Sequence, residues 1–291
     1  MKFRVVLCAA LVLAWGVPAA AAPAYPFQDS ALSADARIDD FLSRLSLEEK
    51  ISLLGGTDAA HLPAFPRLGV RALTMADGPA GLRSLNSDPA TAFPVGVAAA
   101  ATWNPELIRR EGAAIGEEAL ASGVNVMLAP MVNIVRLPNA GRNFETFSED
   151  PVLTAALGTA YVEGMQGVGE GATVKHFVTN EQETARVMGN ALVSERALRE
   201  IYLAAFEPIV KNAKPWAVMT AYNRLNNVFS AESSFLLGTV LRREWGFDGI
   251  VMSDWGGSHA TIDALRAGLD LEMPGPPIYR GWKLKLALDR G

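Results

Sequence analysis

Short apolar runs alternate with longer amphipathic stretches along most of the chain. The runs that have the length and the β-branched or wholly apolar character of strands are residues 71–75, 124–129, 172–177, 217–221, 249–252 and 269–273. Residues 105–123, 151–169 and 194–213 lie between them and repeat apolar positions at the helical period. Strands that are apolar on both faces and alternate with helices are typical of a parallel sheet with helical crossovers. We therefore predict an α/β fold.

Polar residues are concentrated at or near the ends of these apolar runs. They are Asp77, Asn133, His176, Tyr222, Asn223, Asp254 and Glu272. In parallel α/β folds the carboxyl ends of the strands carry the functional site, because the loops there vary without disturbing the core. A doubly wound sheet would also bind ligands at strand ends. The number of strands and the lack of a G-x-G-x-x-G motif after a strand favour a TIM-type (β/α)8 barrel instead.

The first residues have the pattern of an export signal. Lys2 and Arg4 precede an apolar run over residues 5–16, and a small-residue stretch follows it. The run is shorter than the roughly 20 apolar residues that a bilayer-spanning helix needs, which disfavours a membrane anchor. We predict a signal peptide at residues 1–22 and a periplasmic or secreted mature protein.

Composition after the signal indicates an acidic globular domain. Residues 23–34 are Pro- and Ala-rich and form a predicted N-terminal extension, and residues 35–291 form the predicted barrel, beginning with a helical segment that ends at Gly55. The formal net charge of −5 becomes −7 when the two signal cations are subtracted. Without basic clusters, this charge argues against a nucleic-acid partner. Cys8 is the only cysteine, so we expect no disulfide after cleavage.

Metal and cofactor chemistry have little support in the sequence. The three histidines, His61, His176 and His259, show neither H-x-H nor H-E-x-x-H spacing. The chain also lacks a G-x-S-x-G nucleophile elbow and a Walker-type phosphate loop. We expect neither a metal nor a cofactor.

Asp254 ends the apolar run GIVMS and precedes Trp255 and two glycines that permit a tight turn. A carboxylate at this place would face the mouth of a barrel and could act as a nucleophile. Aspartate is equally favoured as the N-cap of a following helix, and Ser258 lies nearby as another cap. The local pattern leaves both interpretations open.

Lys175 and His176 form a polar pair at the end of a predicted buried strand. A lysine there is costly unless it is paired, because desolvation disfavours its charge. One functional interpretation is a Schiff-base lysine with a depressed pKa, and another is a cationic hydrogen-bond donor to a polyhydroxylated ligand. His176 alone is typical of a structural histidine whose hydrogen bonds are satisfied.

Two loops carry further candidate residues. Arg142 and Glu145 lie in GRNFETFSEDP with Phe144 and Phe147, either as a surface loop held by its own charges or as a rigid wall for a sugar. Asp77 follows a strand in MADGPAGLR, where D-G-P alone is a weak turn signal. Carboxylates, cations and aromatic rings together suit a site that binds hydroxyl groups and stacks against sugar rings.

An ordered series of motifs resembles one enzyme family. The segments are MADGPAGLR, GRNFETFSEDP, ATVKHFVTNEQE, SERALREIYLAAFE, VMTAYNRLN and FDGIVMSDWGG. From about residue 35 onward the chain looks like the N-terminal barrel of glycoside hydrolase family 3, and most closely its β-glucosidase branch. Each motif is weak alone, but their common order makes the resemblance specific.

The resemblance implies roles for the matching polar residues. Asp254 would attack the anomeric carbon to form a glycosyl-enzyme, and Asp77 would accept hydrogen bonds from hydroxyls on the far side of the sugar. Arg142, Lys175 and His176 match positions that donate hydrogen bonds to the sugar hydroxyls. Positive charge on Lys175 and Arg142 is expected to favour the ionised form of Asp254. The Schiff-base interpretation of Lys175 is then disfavoured.

The resemblance also implies the lining of the pocket and the reaction. Met219 and Tyr222 match residues near the nucleophile, and Trp255 would form an apolar wall. The implied activity is that of a retaining, exo-acting β-glucosidase that hydrolyses terminal β-D-glucosyl residues of glucosides or oligosaccharides by double displacement. The alternatives are a β-xylosidase or β-N-acetylglucosaminidase of the same family, or a non-catalytic sugar-binding barrel.

One catalytic group is expected to lie elsewhere. In the family, the general acid/base usually comes from a second α/β domain after the barrel, whereas the N-acetylglucosaminidase branch carries it in a K-H-F-P-G-H-G loop. Here the loop is K-H-F-V-T-N-E-Q-E, with no second histidine. We therefore expect the chain to lack the last barrel helix in part and the C-terminal domain entirely, and to be nearly inactive alone.

Overall fold

The computed structural model describes residues 24–83 and 88–290. The predicted signal peptide at 1–22 and Cys8 lie outside these described residues. The chain divides into two compact units, Met1–Leu45 and Ser46–Gly291.

The first unit contains a 3₁₀ turn, Pro26–Gln28, and helix α1, Ala34–Ser43. The Ser33 side chain caps α1 by accepting a hydrogen bond from the Ala36 N–H. Phe27 packs on Phe41 of α1, with ring centroids 5.2 Å apart. The expected single helical segment up to Gly55 is therefore two helices, because a capping box starts a new one at Ser46.

The second unit carries the remaining helices. The α-helices are α2 (Leu47–Ser52), α3 (Gly96–Ala100), α4 (Pro105–Ala121), α5 (Pro151–Gly167), α6 (Glu195–Ala197), α7 (Ile262–Ala267) and α8 (Lys283–Asp289). The π-helical segments are Leu198–Tyr202, Ile209–Ala213, Ser234–Glu244 and Ile278–Trp282, and the 3₁₀ turns are Pro66–Leu68, Asn143–Glu145 and Ser230–Glu232. The two longest α-helices, α4 and α5, each begin with a capping Asn or Asp followed by proline, the sequence pattern that starts helices.

A five-stranded parallel sheet forms the centre of this unit, and its strands lie side by side in chain order. Its strands are β1 (Met75–Asp77), β2 (Val126–Leu128), β3 (Gly171–Phe177), β5 (Ala217–Thr220) and β8 (Ile250–Met252). Single parallel bridges continue the sequence of strands from Met252 to Leu271 and from Glu272 to Gly55. Neighbours along the chain are thus neighbours in the sheet, as in a barrel.

Two of the predicted strands differ in detail. β1 begins only at Met75, because the preceding residues pair antiparallel with the segment around His61. The run at 269–273 contributes bridges rather than a ladder. A small sheet of β4 (Asn190–Ala191), β6 (Arg224–Leu225) and β7 (Val228–Phe229) was not predicted, since two-residue strands leave no periodic pattern.

The two long helices α4 and α5 pack on each other by close backbone contact. A Cβ atom at Gly112 of α4 would lie 2.3 Å from the Tyr161 carbonyl oxygen, and one at Gly164 of α5 would lie 1.9 Å from the Arg109 carbonyl oxygen. Only glycine permits this approach. The Arg109 guanidinium also donates a hydrogen bond to Glu163 across the same pair of helices.

No helix within residues 24–83 and 88–290 is both long and apolar enough to cross a membrane. In the same part of the chain, no cluster of three or more His, Cys, Asp or Glu side chains is arranged to hold a metal ion.

Replacing Gly164 by alanine is expected to destabilise the chain by about 3 kcal/mol, because the added methyl group forces the two helices apart. Gly167→Ala is the matched control on the same helix, since no atom lies within 4 Å of its added Cβ. It is expected to be neutral or to stabilise by up to about 1 kcal/mol. Urea unfolding measures both, and equal effects of the two variants would contradict the close approach.

Glu170, which precedes β3, is expected to make stability depend on pH. It is fully buried, and neither carboxyl oxygen has a hydrogen-bond partner among the described residues. Burial raises the pKa of Glu170 from 4.5 to about 7. The stability that the folded chain gains from binding this proton is therefore fully present below about pH 4.5 and is lost as the pH rises through 7. Glu170→Gln is expected to stabilise the chain by roughly 1–3 kcal/mol at pH 8 and to have little effect at pH 5.

The exposed Glu117 of α4 supplies the control for this prediction. Glu117→Gln is expected to leave the free energy of unfolding nearly unchanged at both pH values. A Glu170→Gln effect that is the same at pH 5 and pH 8 would show that the substitution acts through packing and not through ionisation.

Candidate active site

A cavity of about 470 Å³ opens at the carboxyl ends of the parallel strands. Its lining includes all eight residues proposed from the sequence: Asp77, Arg142, Lys175, His176, Met219, Tyr222, Asp254 and Trp255. These residues are separated by up to 178 positions in the chain, and the order of the strands and the loops that follow them brings them together. The structure therefore places every predicted residue at one site, as the strand-end argument requires.

Asp254 follows β8 directly and is 7% exposed. Its Oδ1 accepts a hydrogen bond of 2.7 Å from the Trp255 N–H, whereas Oδ2 has no hydrogen-bond partner among the described residues. The next helix, α7, begins only at Ile262, after Thr261 at its N-cap. The helix-cap interpretation of Asp254 is therefore wrong, and one oxygen of this carboxylate is buried without a hydrogen bond.

Burial sets the protonation behaviour of Asp254. Loss of solvation raises its pKa, while the Trp255 N–H and the charges of Lys175 and Arg142 act in the opposite direction. The cations therefore favour the ionised form as expected, but burial outweighs them and the pKa lies above its usual value. A weakly solvated carboxylate of raised basicity is a better nucleophile than an exposed one.

Lys175 and Asp77 form an ion pair between the ends of β3 and β1, in which the lysine is buried and the aspartate is partly exposed. The Lys175 ammonium is 3% exposed and donates a hydrogen bond of 2.5 Å to Asp77 Oδ1. Arg83 donates to the other oxygen at 3.1 Å. Burial alone would raise the pKa of Asp77, but Lys175 and Arg83 together lower it. An amine engaged in this way acts as a cationic donor, which argues against the Schiff-base interpretation.

Arg142 is held against the cavity by Glu145 of its own loop. Its Nε and Nη2 atoms donate to the two carboxylate oxygens at 2.8 and 3.0 Å. Phe147 of the same loop packs in the core against Tyr161, and only Phe144 is exposed. The loop is thus rigid and presents a cation to the cavity, but the proposed aromatic wall does not include Phe147.

Aromatic residues close the other side of the cavity. The Tyr222 hydroxyl donates to the Trp255 carbonyl oxygen at 3.0 Å, and the Trp255 indole N–H donates to the Ala59 carbonyl oxygen at 2.9 Å. Burial and the neighbouring Asp254 raise the pKa of Tyr222, so its hydroxyl stays protonated. Met219 lines the floor between them.

The sequence reasoning missed the charged residues that follow β3. Arg186 lies over the Tyr222 ring, 4.8 Å from its centroid, and pairs with Glu183 at 2.8 Å. Both line the cavity, as does Arg83. Glu183 and Arg186 lie on an irregular loop, where only their proximity to the KHF segment could have indicated them.

Three polar residues at predicted strand ends do not line the cavity. The Glu272 carboxylate accepts hydrogen bonds from the backbone N–H groups of Ile278, Tyr279 and Arg280, and so caps a helical segment. Asn133 and Asn223 are buried and donate hydrogen bonds to backbone carbonyl oxygens of neighbouring loops. These residues hold the site without facing it.

The chain matches the family model for the glycosyl hydrolase family 3 N terminal domain over residues 49–288. It belongs to glycosyl hydrolase family 3. The N-terminal domain of this family is a TIM barrel, so the predicted barrel fold is confirmed, although ladder pairing in this chain joins five strands and single bridges supply the rest.

Curated relatives in family 3 carry one activity in their names. A beta-glucosidase of Rhizobium radiobacter is 52% identical over 258 residues, which are 87% of this chain and 32% of that protein. A thermostable beta-glucosidase B of Acetivibrio thermocellus is 47% identical over 247 residues, which are 81% of this chain and 33% of that protein. The chain thus spans about a third of the length of these relatives.

Solved structures of family 3 show the same fold. Beta-glucosidase 3B from Thermotoga neapolitana, solved in complex with glucose, superposes with a TM-score of 0.82 and 44% identity, covering 87% of this chain and 40% of that chain. Beta-glucosidase from Kluyveromyces marxianus gives a TM-score of 0.84 and 42% identity, covering 87% and 31% respectively.

Asp77→Asn is expected to destabilise the chain by about 3 kcal/mol, because it leaves the buried Lys175 ammonium without its counter-charge. The double variant Asp77→Asn/Lys175→Met is expected to recover most of this loss. Asp263→Asn, on the exposed face of α7, is the control and is expected to change the free energy of unfolding by less than about 0.5 kcal/mol. Failure of the double variant to recover stability in urea unfolding would contradict the pairing.

Proposed function

We propose that this chain is the barrel portion of a retaining, exo-acting β-glucosidase in which Asp254 is the nucleophile. The observation that carries the proposal is the state of Asp254: a buried carboxylate that lines the cavity, with one oxygen fixed by a backbone N–H and the other without a hydrogen-bond partner among the described residues. This arrangement presents a single oxygen in a defined direction. The names of the family 3 relatives support β-glucosides as the substrate class.

Asp254 Oδ2 would attack the anomeric carbon, and the bond from that carbon to the aglycone oxygen would break. The product of this step is a glycosyl ester on Asp254, and the leaving alcohol takes a proton from a general acid. Water then attacks the same carbon, gives its proton to the same group acting as base, and releases Asp254 as a carboxylate. Two inversions at one carbon give overall retention.

The remaining charges of the cavity suit the hydroxyl groups of a sugar. Lys175, Arg142 and Arg186 are donors with fixed positions, and Asp77 is an ionised acceptor held by Lys175 and Arg83. Trp255 and Tyr222 supply aromatic surface for the apolar face of a pyranose ring. Because ion pairs with neighbouring residues hold these donors and acceptors in place, binding needs little reorganisation.

The general acid is proposed to lie outside this chain, in a C-terminal domain of the longer polypeptide. A leaving-group acid must be protonated, yet the other carboxylates lining the described cavity are each paired with a cation: Asp77 with Lys175, Glu145 with Arg142 and Glu183 with Arg186. The coverage of only about a third of the relatives agrees with this proposal. The predicted signal peptide supports export to the periplasm or beyond.

Trapping with a 2-fluoro glucoside tests the proposal. In the longer protein that is proposed to contain this chain, the label is expected on Asp254, in the peptide GIVMSDWGG. Asp254→Asn is expected to lower turnover of an aryl β-glucoside by about 10³-fold or more and to abolish labelling. Asp263→Asn is the control and is expected to retain both. A label on any other residue would contradict the nucleophile.

The same assay tests where the acid lies. Residues 23–291 expressed alone are expected to turn over the aryl β-glucoside very slowly, because the carboxylates that line the described cavity beside Asp254 are paired with cations and are poor proton donors to the leaving group. Robust turnover by this chain would place the acid within the barrel and reject the two-domain arrangement. Sugar binding without turnover in the longer protein would instead indicate a non-catalytic barrel.

A further inference from the structure

Asn133 forms hydrogen bonds with both backbone polar groups of His176. Asn133 Oδ1 accepts a hydrogen bond of 2.9 Å from the His176 N–H, and its Nδ2 donates one of 3.0 Å to the His176 carbonyl oxygen. Asn133 is completely buried. The orientation of its amide group is therefore determined, because a reversed amide would set donor against donor and acceptor against acceptor.

This fixed amide determines which imidazole nitrogen carries the proton. His176 Nδ1 lies 3.3 Å from Asn133 Oδ1, which is an acceptor only. A hydrogen bond between them requires a proton on Nδ1. Glu181 supports the same orientation, since its Oε1 accepts a hydrogen bond of 3.3 Å from Asn133 Nδ2.

The opposite end of the ring leads to the same tautomer. His176 Nε2 lies 3.4 Å from Arg142 Nη1, and a guanidinium group can only donate. Nε2 must therefore accept. Burial and the charges of Arg142, Lys175 and Arg186 hold the pKa of His176 well below its usual value, so the ring carries one proton and not two.

We propose that Asn133 is a positioning residue that keeps His176 in the neutral Nδ1–H tautomer, so that Nε2 is an acceptor and, when sugar binds, accepts a hydrogen bond from a hydroxyl group of the sugar in place of the one from Arg142. The role of Nε2 towards the sugar rests on the proposed function. The resemblance to the family implies a donating histidine at this position. The geometry of this chain assigns the opposite polarity to the interaction.

The tautomer also has a consequence for the nucleophile. His176 Nε2 lies 3.6 Å from Asp254 Oδ2. With a proton on Nε2, the ring would donate to this oxygen and reduce its reactivity. With the proton on Nδ1, the ring cannot donate to Oδ2, and this oxygen stays free for the anomeric carbon. Asn133 thus acts on Asp254 through His176, without contacting the cavity itself.

Nitrogen-15 NMR of histidine-labelled protein tests the tautomer directly. The chain has three histidines, so the signals of His176 are assigned by their loss in His176→Gln. The expected wild-type spectrum shows a protonated Nδ1 and an unprotonated Nε2. Asn133→Ala is expected to shift the ring towards the Nε2–H form, and Asn133→Asp, which keeps the acceptor, is expected to retain Nδ1–H. An Nε2–H or doubly protonated ring in the wild type would overturn the proposal.

Asn223→Ala is the matched control, because Asn223 is a buried asparagine that donates to the Val178 carbonyl oxygen and the Thr179 hydroxyl and belongs to the neighbouring strand end. It is expected to lower the thermal midpoint as Asn133→Ala does, while the His176 nitrogen signals stay unchanged. Equal changes of these signals in both variants would show a general loss of packing and reject a specific role for Asn133. If Asn133→Ala does not fold, the wild-type and Asn133→Asp spectra decide.

A double-mutant cycle tests the functional consequence in the longer protein. Asn133→Ala is expected to lower kcat/KM for an aryl β-glucoside by about 10–100-fold, the range found when a hydrogen-bond partner that orients a metal-ligating histidine is removed. In a His176→Gln background the same substitution is expected to have little further effect. Full additivity would show that Asn133 does not act through His176. Absence of wild-type turnover would reject the proposed function, while the NMR spectrum would still judge the tautomer.

Discussion

The buried ammonium of Lys175 is the constraint on which the site depends. A charge that is 3% exposed must find a counter-charge, and Asp77 supplies it from a strand two positions away in the sheet. The pair therefore ties the ends of β1 and β3 together across β2. It also sets the charge of the cavity, because it leaves Asp77 ionised as an acceptor and Lys175 positive beside Asp254.

A second constraint is the hydrogen bonding of backbone that leaves the sheet. Strands end at the cavity, and their last peptide groups lose their ladder partners. Asn133 and Asn223 replace these partners with side-chain amides, and Glu272 does the same for the N–H groups of a helical segment. The buried polar residues at the strand ends thus divide into two groups. One group faces the cavity with charge, and the other fixes the backbone that presents it.

Much of this arrangement follows from the sequence, and the exceptions have physical reasons. Apolar runs and strand-end acids predict β1, β2, β3, β5 and β8 and the polar residues that follow them. The reason is that burial on both faces and alternation with helices leave a local sequence pattern. The contact of Arg186 with the Tyr222 ring and the hydrogen bonds of Asn133 to His176 cannot be predicted from local patterns, because the residues that they join are distant in the chain and meet only after folding. The position of Phe147 has the same explanation. The loop pattern indicated a place in the wall of the sugar site, but Phe147 packs in the core against Tyr161.

Position in the sequence, burial and neighbouring charge together determine the state of Asp254. Its place at a strand end makes it a candidate, but only the distance to α7 excludes the role of a helix cap. Burial then raises its pKa, and Lys175 and Arg142 limit that rise, so neither basicity nor ionisation is maximised. Such a balance suits a nucleophile that must also leave the sugar in a second step. A carboxylate that is stabilised further would attack the anomeric carbon poorly, and one that is less stabilised would be a poor leaving group in the second step. Burial of Asp254 near cations that form no hydrogen bond to Oδ2 meets both requirements.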